Sequence, residues 1–150
     1  MKNNYYSIKT HFLVKILLKK GNHFLILKNN KKDVEDLNLG WESPGGHLEE
    51  HEDIEQALFR ELKEETGLTD INVLFPIHSF LFYPGQENSL GGVVYLAEYV
   101  SGDVCLDNKE HFTYKWATIS EIEQLGGTRG LLQEFTAYKN FLQNIKKLNI

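Results

Sequence analysis

Between Gly46 and Leu68 the chain carries the pattern G-x5-E-x7-R-E-L-x-E-E-x-G-L, filled by Gly46, Glu52, Arg60, Glu61, Leu62, Glu64, Glu65, Gly67 and Leu68. At average residue frequencies its seven non-apolar positions would fall in this register by chance on the order of once in 10⁹ starts. The spacing predicts a helix from about Asp53 to Thr66, closed by Gly67. On a wheel of about 100° per residue with Ile54 at zero, Ala57, Leu58 and Leu62 span an apolar arc of roughly 80° to either side. Glu61 and Glu65 fall within about 20° of its centre, and Glu64 lies at its edge. A carboxylate buried without a partner costs several kcal/mol, so two acids where periodicity calls for leucine require cations or protons beside them. A divalent metal with hard oxygen ligands, Mg²⁺ or Mn²⁺, meets that requirement best. A solvated acidic face paired with Lys63 and Arg60 would explain Glu55 but not Glu61 or Glu65. Arg60 is read as holding a neighbouring carboxylate, Glu52 two turns before it or Glu64 one turn after it.

Together with the preceding Trp41-Glu42-Ser43-Pro44-Gly45-Gly46, these residues resemble the signature of the Nudix hydrolases, and the match inside the box is complete. The resemblance implies a metal-assisted hydrolase of a nucleoside diphosphate linked to another group, on an α+β fold of the α/β/α sandwich type with a mixed sheet. It further implies that Glu61, Glu64 and Glu65 hold Mg²⁺ (or Mn²⁺), joined by the carbonyl of the glycine that opens the box, Gly45 or Gly46. A further acid is expected from a downstream loop. The segment Glu110-His111-Phe112-Thr113-Tyr114-Lys115-Trp116 looks like that loop, with Glu110 as the additional ligand. Glu61 is the favoured general base and Glu110 the second choice, with Glu64 and Arg60 completing the catalytic set.

Pro44-Gly45-Gly46 has a backbone reason to be glycine-rich, since glycine lets the main chain turn sharply and approach a ligand. Glu49, Glu50, Glu52 and Asp53 make the helix start acidic, so phosphate is expected to be reached through metal and not through the helix end. His47 and His51 read as exposed loop residues outside the site.

The 150 residues and net charge of −5 fit one domain spanning 1–150 and argue against binding of nucleic acid polymers. Lys28, Lys31 and Lys32 read as a solvated loop. The lone Cys105 excludes an intramolecular disulfide. Lys9, His11 and Lys15 interrupt the first apolar run, so neither a signal peptide nor a membrane span is expected, and the chain is read as cytoplasmic.

Along the chain, residues 8–18 and 23–28 read as a hairpin around Lys20-Gly21-Asn22, followed by a polar loop to Leu39 and a strand-like Trp41-Glu42-Ser43. Strands are expected near 71–82, 92–100 and 112–117. A short helix over 119–125 is expected to start at Ser120 with Glu123 as its capping-box partner. A last amphipathic helix carries Leu131, Leu132, Phe135, Tyr138, Phe141 and Leu142.

The small-molecule partner is expected to be a nucleotide: a nucleoside triphosphate, oxidised forms included, ahead of ADP-ribose, other nucleotide sugars or dinucleoside polyphosphates. Tyr83 and Pro84 lie where family members carry hints for two of these classes, and having both removes the discrimination. Tyr83 and Phe112 are candidates to touch a base, although strand alternation makes packing the default for such aromatics. A non-catalytic nucleotide-binding module or an isoprenoid diphosphate isomerase would show a different set of acids. Domains of this kind often pair, which makes a homodimer a further expectation.

Overall fold

In the computed structural model, residues 9–30, 40–82, 88–126 and 129–149 are described. Tyr83, Lys31 and Lys32 lie outside them, and with them one candidate base contact and most of the lysine cluster.

The elements run β1 (Lys9–Lys20), β2 (His23–Asn29), β3 (Trp41–Glu42), β4 (Gly45–His47), α1 (Ile54–Thr66), β5 (Asp70–Phe82), β6 (Asn88–Ser101), β7 (His111–Ala117), α2 (Ile119–Leu125) and α3 (Arg129–Lys147). Among the described residues the strands form one mixed sheet of order β3-β2-β1-β6-β5, with β4 also on β1 and β7 also on β2. β1 and β6 are parallel, whereas the other pairs are antiparallel. The predicted hairpin forms, with Gly21 at φ +61° in its turn.

Alternation along β1 explains the layers. Val14, Ile16 and Leu18 pack with Ala57, Leu58 and Leu62 of α1 in one core. Leu17 faces the other way, into a core with Phe24, Ile26, Leu131, Phe135 and Tyr138 under α3. A strand covered on both sides reads as a near-continuous apolar run, and β1 does. The result is the expected sandwich of a mixed sheet between helices.

Beyond shifts of one or two residues at strand ends, such as β1 running to Lys20 and not 18, three features differ from the sequence reading. The Pro44-Gly45-Gly46 turn continues into a strand, because Gly45, Gly46 and His47 pair with Lys15, Val14 and Leu13. β6 starts at Asn88, since Asn88 and Ser89 already pair with Lys9 and Thr10 of β1, before β5 joins from Leu90 onward. α2 covers the expected 119–125, but its cap lies two residues before Ser120: Thr118 Oγ1 accepts from Glu121 N, and Glu121 Oε2 accepts from Thr118 N at 2.8 Å. Ser120 therefore lies inside the first turn, and Glu121, not Glu123, closes the box. Pro76 is accommodated because β5 is an edge strand with shifted register on either side of it. No helix among the described residues is long and apolar enough to cross a membrane.

Candidate active site

α1 begins on a capping box formed by Asp53 and Gln56 and ends at Gly67, whose φ of +70° suits glycine. This fixes the phase of the helix and aims its acids at β4. Glu65 is only 6% exposed, and its Oε2 accepts from Gly45 N at 2.8 Å. Gly46 lies against Glu61 so closely that a Cβ there would stand 2.5 Å from Glu61 Oε1. Glu64 is exposed at the rim.

Arg60 answers the either-or of the sequence reading by holding both acids. Its Nε and Nη2 donate to the two oxygens of Glu52 at 3.0 and 2.6 Å. Nη1 donates to Glu61 Oε1 at 2.8 Å and to Glu64 Oε2 at 3.3 Å, and Nη2 also donates to the His47 carbonyl at 2.9 Å. A planar fork can serve this many acceptors at once; an ammonium cannot. The hydrogen bonds from Arg60 and from the Glu49 backbone hold the Glu52 carboxyl down at about 2.

The loop from Gly102 to Glu110 is fastened to the end of α1. Cys105 N donates to Thr66 O at 2.8 Å and Asp107 N to Glu65 O at 3.2 Å, while Asn30 N donates to Glu110 O at 2.7 Å. These bonds bring Asp107 and Glu110 to Glu61, Glu64 and Glu65 around a hollow of about 110 Å³. The structure thus gathers Glu61, Glu64, Glu65 and Glu110, with Gly46 at the neighbouring wall.

Sequence reasoning passed over several residues that line the site. His111 is 2% exposed, its Nε2 lies 2.9 Å from Glu42 Oε1 and 3.9 Å from Glu65 Oε1, and its Nδ1 has no hydrogen-bond partner among the described residues. Single donor atoms of Glu65, Glu110 and His111 lie within 4.8 Å of one another. Lys15, in mid-strand, donates to Gly45 O at 3.3 Å. With Glu42, Gly46, His47 and Glu110, it lines an open cleft of about 550 Å³ beside the hollow. His47 therefore belongs to the cleft wall, whereas Phe112 is 54% exposed under Lys28 Nζ, 5.6 Å from its ring centre, and is not among the cleft-lining residues.

Burial pushes the Glu65 carboxyl up to about 7, against the pull of Lys15, the Gly45 N–H and His111. Burial also raises Glu61, despite Arg60. For His111, burial opposes the charged form, but the Glu42 hydrogen bond and the Glu65 charge outweigh it and hold its pKa above the ordinary value. Glu42, Glu61, Glu64, Glu65, Asp107 and Glu110 thus outnumber Arg60, Lys15 and His111 around the hollow and the cleft. Such a surplus of hard oxygen donors around a small hollow, one of them buried and reluctant to ionise, fits a divalent cation.

A family model for the NUDIX domain matches residues 9–138. The chain belongs to the Nudix family. The 8-oxo-dGTP diphosphatase of Buchnera aphidicola (Schizaphis graminum) is 30% identical over 114 residues, covering 76% of this chain and 81% of the relative. The asymmetrical bis(5'-nucleosyl)-tetraphosphatase of Caenorhabditis elegans is 29% identical over 103 residues, covering 65% and 75%. Among solved structures, a MutT protein from Methanosarcina mazei Go1 superimposes with a TM-score of 0.71 at 24% identity, covering 91% of this chain and 96% of the other, and so shares the fold. The expectation of a Nudix hydrolase on a mixed-sheet sandwich holds.

Proposed function

We propose that this Nudix hydrolase cleaves a diphosphate linkage in a nucleoside triphosphate, oxidised forms included, with Mg²⁺ or Mn²⁺ bound by Glu61, Glu64, Glu65 and Glu110 and by the backbone at Gly46. The observation that carries this reading is the hollow ringed by Glu61, Glu64, Glu65, Asp107 and Glu110. A divalent cation held by these residues would supply charge to neutralise phosphate oxygens and would lower the pKa of an attacking water. The protein's own groups do the rest. Arg60 keeps Glu52, Glu61 and Glu64 in fixed positions. Glu61, whose pKa burial raises above the ordinary carboxylate value, is the first candidate to take the water's proton, with Glu110 as the second. Lys15 sets a positive charge on the cleft wall for a phosphate.

Relatives named for 8-oxo-dGTP and for a dinucleoside tetraphosphate support both a triphosphate and the dinucleoside polyphosphate alternative. ADP-ribose and nucleotide sugars form the other alternative, since a Nudix domain of Shewanella oneidensis NrtR was solved with ADP ribose. The test incubates the protein with Mg²⁺ or Mn²⁺ and a panel of these compounds, separating nucleotide, phosphate and pyrophosphate by chromatography. One compound should turn over and Glu64→Gln should abolish it. Turnover that survives in the variant, or no cleavage with either metal, overturns the reading.

A further inference from the structure

A second cavity of about 240 Å³ adjoins the catalytic cleft, and the two share Leu13, Lys15 and Glu42 in their walls. The smaller cavity reaches across the sheet to α3. Its other walls include Phe80, Leu131 and Glu134. Small-molecule sites are concave, mostly apolar and oriented by a few polar groups, with volumes of ~300–1,000 Å³, a range that the two adjoining spaces reach together.

The shape of this cavity depends on Gly92. A Cβ at that position would lie 2.4 Å from Phe80 Cζ and 2.7 Å from Leu13 O, so the missing side chain is the space that the Phe80 ring occupies. An aromatic ring and three leucines, Leu13, Leu90 and Leu131, make a wall on which a flat ring can stack.

Glu134 is the buried carboxyl group of this chamber, whose other polar lining residues are Lys15, Glu42, His78 and Gln133. It is 6% exposed, and Ser43 Oγ donates to its Oε2 at 2.5 Å. A carboxyl group buried among apolar side chains is costly unless donors meet it. Its two oxygens offer about four acceptor positions, of which Ser43 fills one while fixing the orientation of the group. Burial holds the Glu134 carboxyl above the ordinary range, against the pull of Lys15 and Ser43, so a ligand that brings further donors would relieve it. The metal-assisted step described above does not use Glu134.

We propose that this cavity receives the base of the substrate nucleotide and that Glu134, oriented by Ser43, selects a guanine-type edge, whose ring N–H and neighbouring amino group present two adjacent donors to the two carboxylate oxygens. Adenine and cytosine set a ring-nitrogen acceptor beside their amino donor on the corresponding edge, and uracil offers a single N–H. An oxidised guanine that keeps the ring N–H and amino group satisfies the same requirement. This inference rests on the nucleotide-hydrolase reading for its orientation, since Lys15 and Glu42 form the wall between base and phosphates.

The test separates the two readings by measuring binding without metal. Titration calorimetry in EDTA compares GMP, IMP, AMP and UMP on the wild type, Glu134→Gln and Ser43→Ala, alongside kcat/KM for the four common nucleoside triphosphates in Mg²⁺. GMP should bind most tightly, with IMP, which lacks the amino group, weaker by on the order of tenfold, as expected for one hydrogen bond lost to a charged group. Glu134→Gln supplies one donor and one acceptor, so it should erase the GMP preference and improve AMP relative to GMP while leaving Mn²⁺ affinity unchanged. Equal affinities for the four monophosphates on the wild type overturn the inference even if Glu134→Gln fails to fold. A uniform loss across all four in the variant overturns it as well. Hydrolysis without base preference refutes this proposal alone, whereas GMP selectivity without hydrolysis refutes only the hydrolase reading.

Discussion

Gly45 and Gly46 are adjacent in β4, yet an alanine at each should do opposite things. At Gly45 the φ is +131°, and a Cβ would stand 2.1 Å from Val14 O and 2.8 Å from Lys15 Cα, all backbone of the central strand. Strained backbone and an overpacked strand together cost about 3 kcal/mol or more. At Gly46 the φ is ordinary, and the three nearest atoms all belong to the Glu61 carboxylate, at 2.5 and 2.6 Å. That is the far end of a flexible side chain, so Gly46→Ala should cost about 1 kcal/mol or less, partly offset by the entropy that glycine loses on folding. The displaced carboxylate would have to leave its 2.8 Å contact with Arg60. A misplacement of about 1 Å in a catalytic constellation costs about 100-fold in rate. Calorimetry of the metal-free protein should therefore show Gly45→Ala melting roughly 6–12 °C below wild type and Gly46→Ala within about 3 °C, given ~2–4 °C per kcal/mol at this size. Steady-state kinetics on the preferred nucleotide should show Gly46→Ala down by about 100-fold in kcat. Wild-type turnover in Gly46→Ala would refute the placement of Glu61 in the chemistry. A melting point as low as that of Gly45→Ala would refute the claim that only a movable carboxylate fills the space.

Arg60→Lys should retain the fold but lose the fork that spans Glu52, Glu61 and the His47 carbonyl, weakening Mg²⁺ half-saturation and kcat by about 10- to 100-fold; unchanged Mg²⁺ dependence would remove Arg60 from the positioning of the acids. Glu65 sets a pH dependence in chelated protein: its folded pKa of about 7 exceeds the ordinary 4.5, so the folded state keeps a proton that the unfolded state has released. Its stabilising contribution is full below about pH 4.5 and is lost as pH rises through 7, at most about 3 kcal/mol. Denaturant titrations in EDTA should show this decline, and Glu65→Gln should flatten it; a slope of opposite sign would contradict the burial argument.

The acids of α1 were legible because a helical wheel turns spacing into direction, and an acid inside an apolar arc is conspicuous. The same test applied to α3 points to Glu134, which lies about 60° from Leu131 and about 40° from Tyr138; read only for its apolar stripe, the helix hides it. Lys15 had a comparable signal, a single charge inside Phe12-Leu13-Val14-Lys15-Ile16-Leu17-Leu18, and it reads equally well as an interruption of a leader-like run. His111 had none. Its neighbours Glu42 and Glu65 come from β3 and α1, and only the pairing of β7 with β2 and of β2 with β3 brings them to it. Phe112 was singled out by chemistry, but the period of a strand sets it opposite to His111, on the solvent side.

That period also explains why one cleft draws on both layers of the sandwich. β1 is paired with β4 at Leu13–Lys15 and with β2 at Lys19 and Lys20, so the sheet splits where β3 and β4 diverge. Through the split, Gly45 presents its N–H to Glu65 on the α1 side, while Ser43, two residues earlier, holds Glu134 on the α3 side. The segment Glu42 to Gly46 therefore connects an acid of each helix layer to one backbone. Lys15, across from Gly45 in the β1–β4 ladder, lies between the two acids and lowers the pKa of each. Lys15→Met should remove this shared influence while keeping the length of the side chain. Glu65 and Glu134 should then both titrate at higher pH in metal-free protein, as followed by carboxyl infrared bands or by NMR of labelled glutamate. A shift confined to one of them would show that the cleft and the α3 cavity are electrostatically separate, and phosphate and base would then have to be recognised independently.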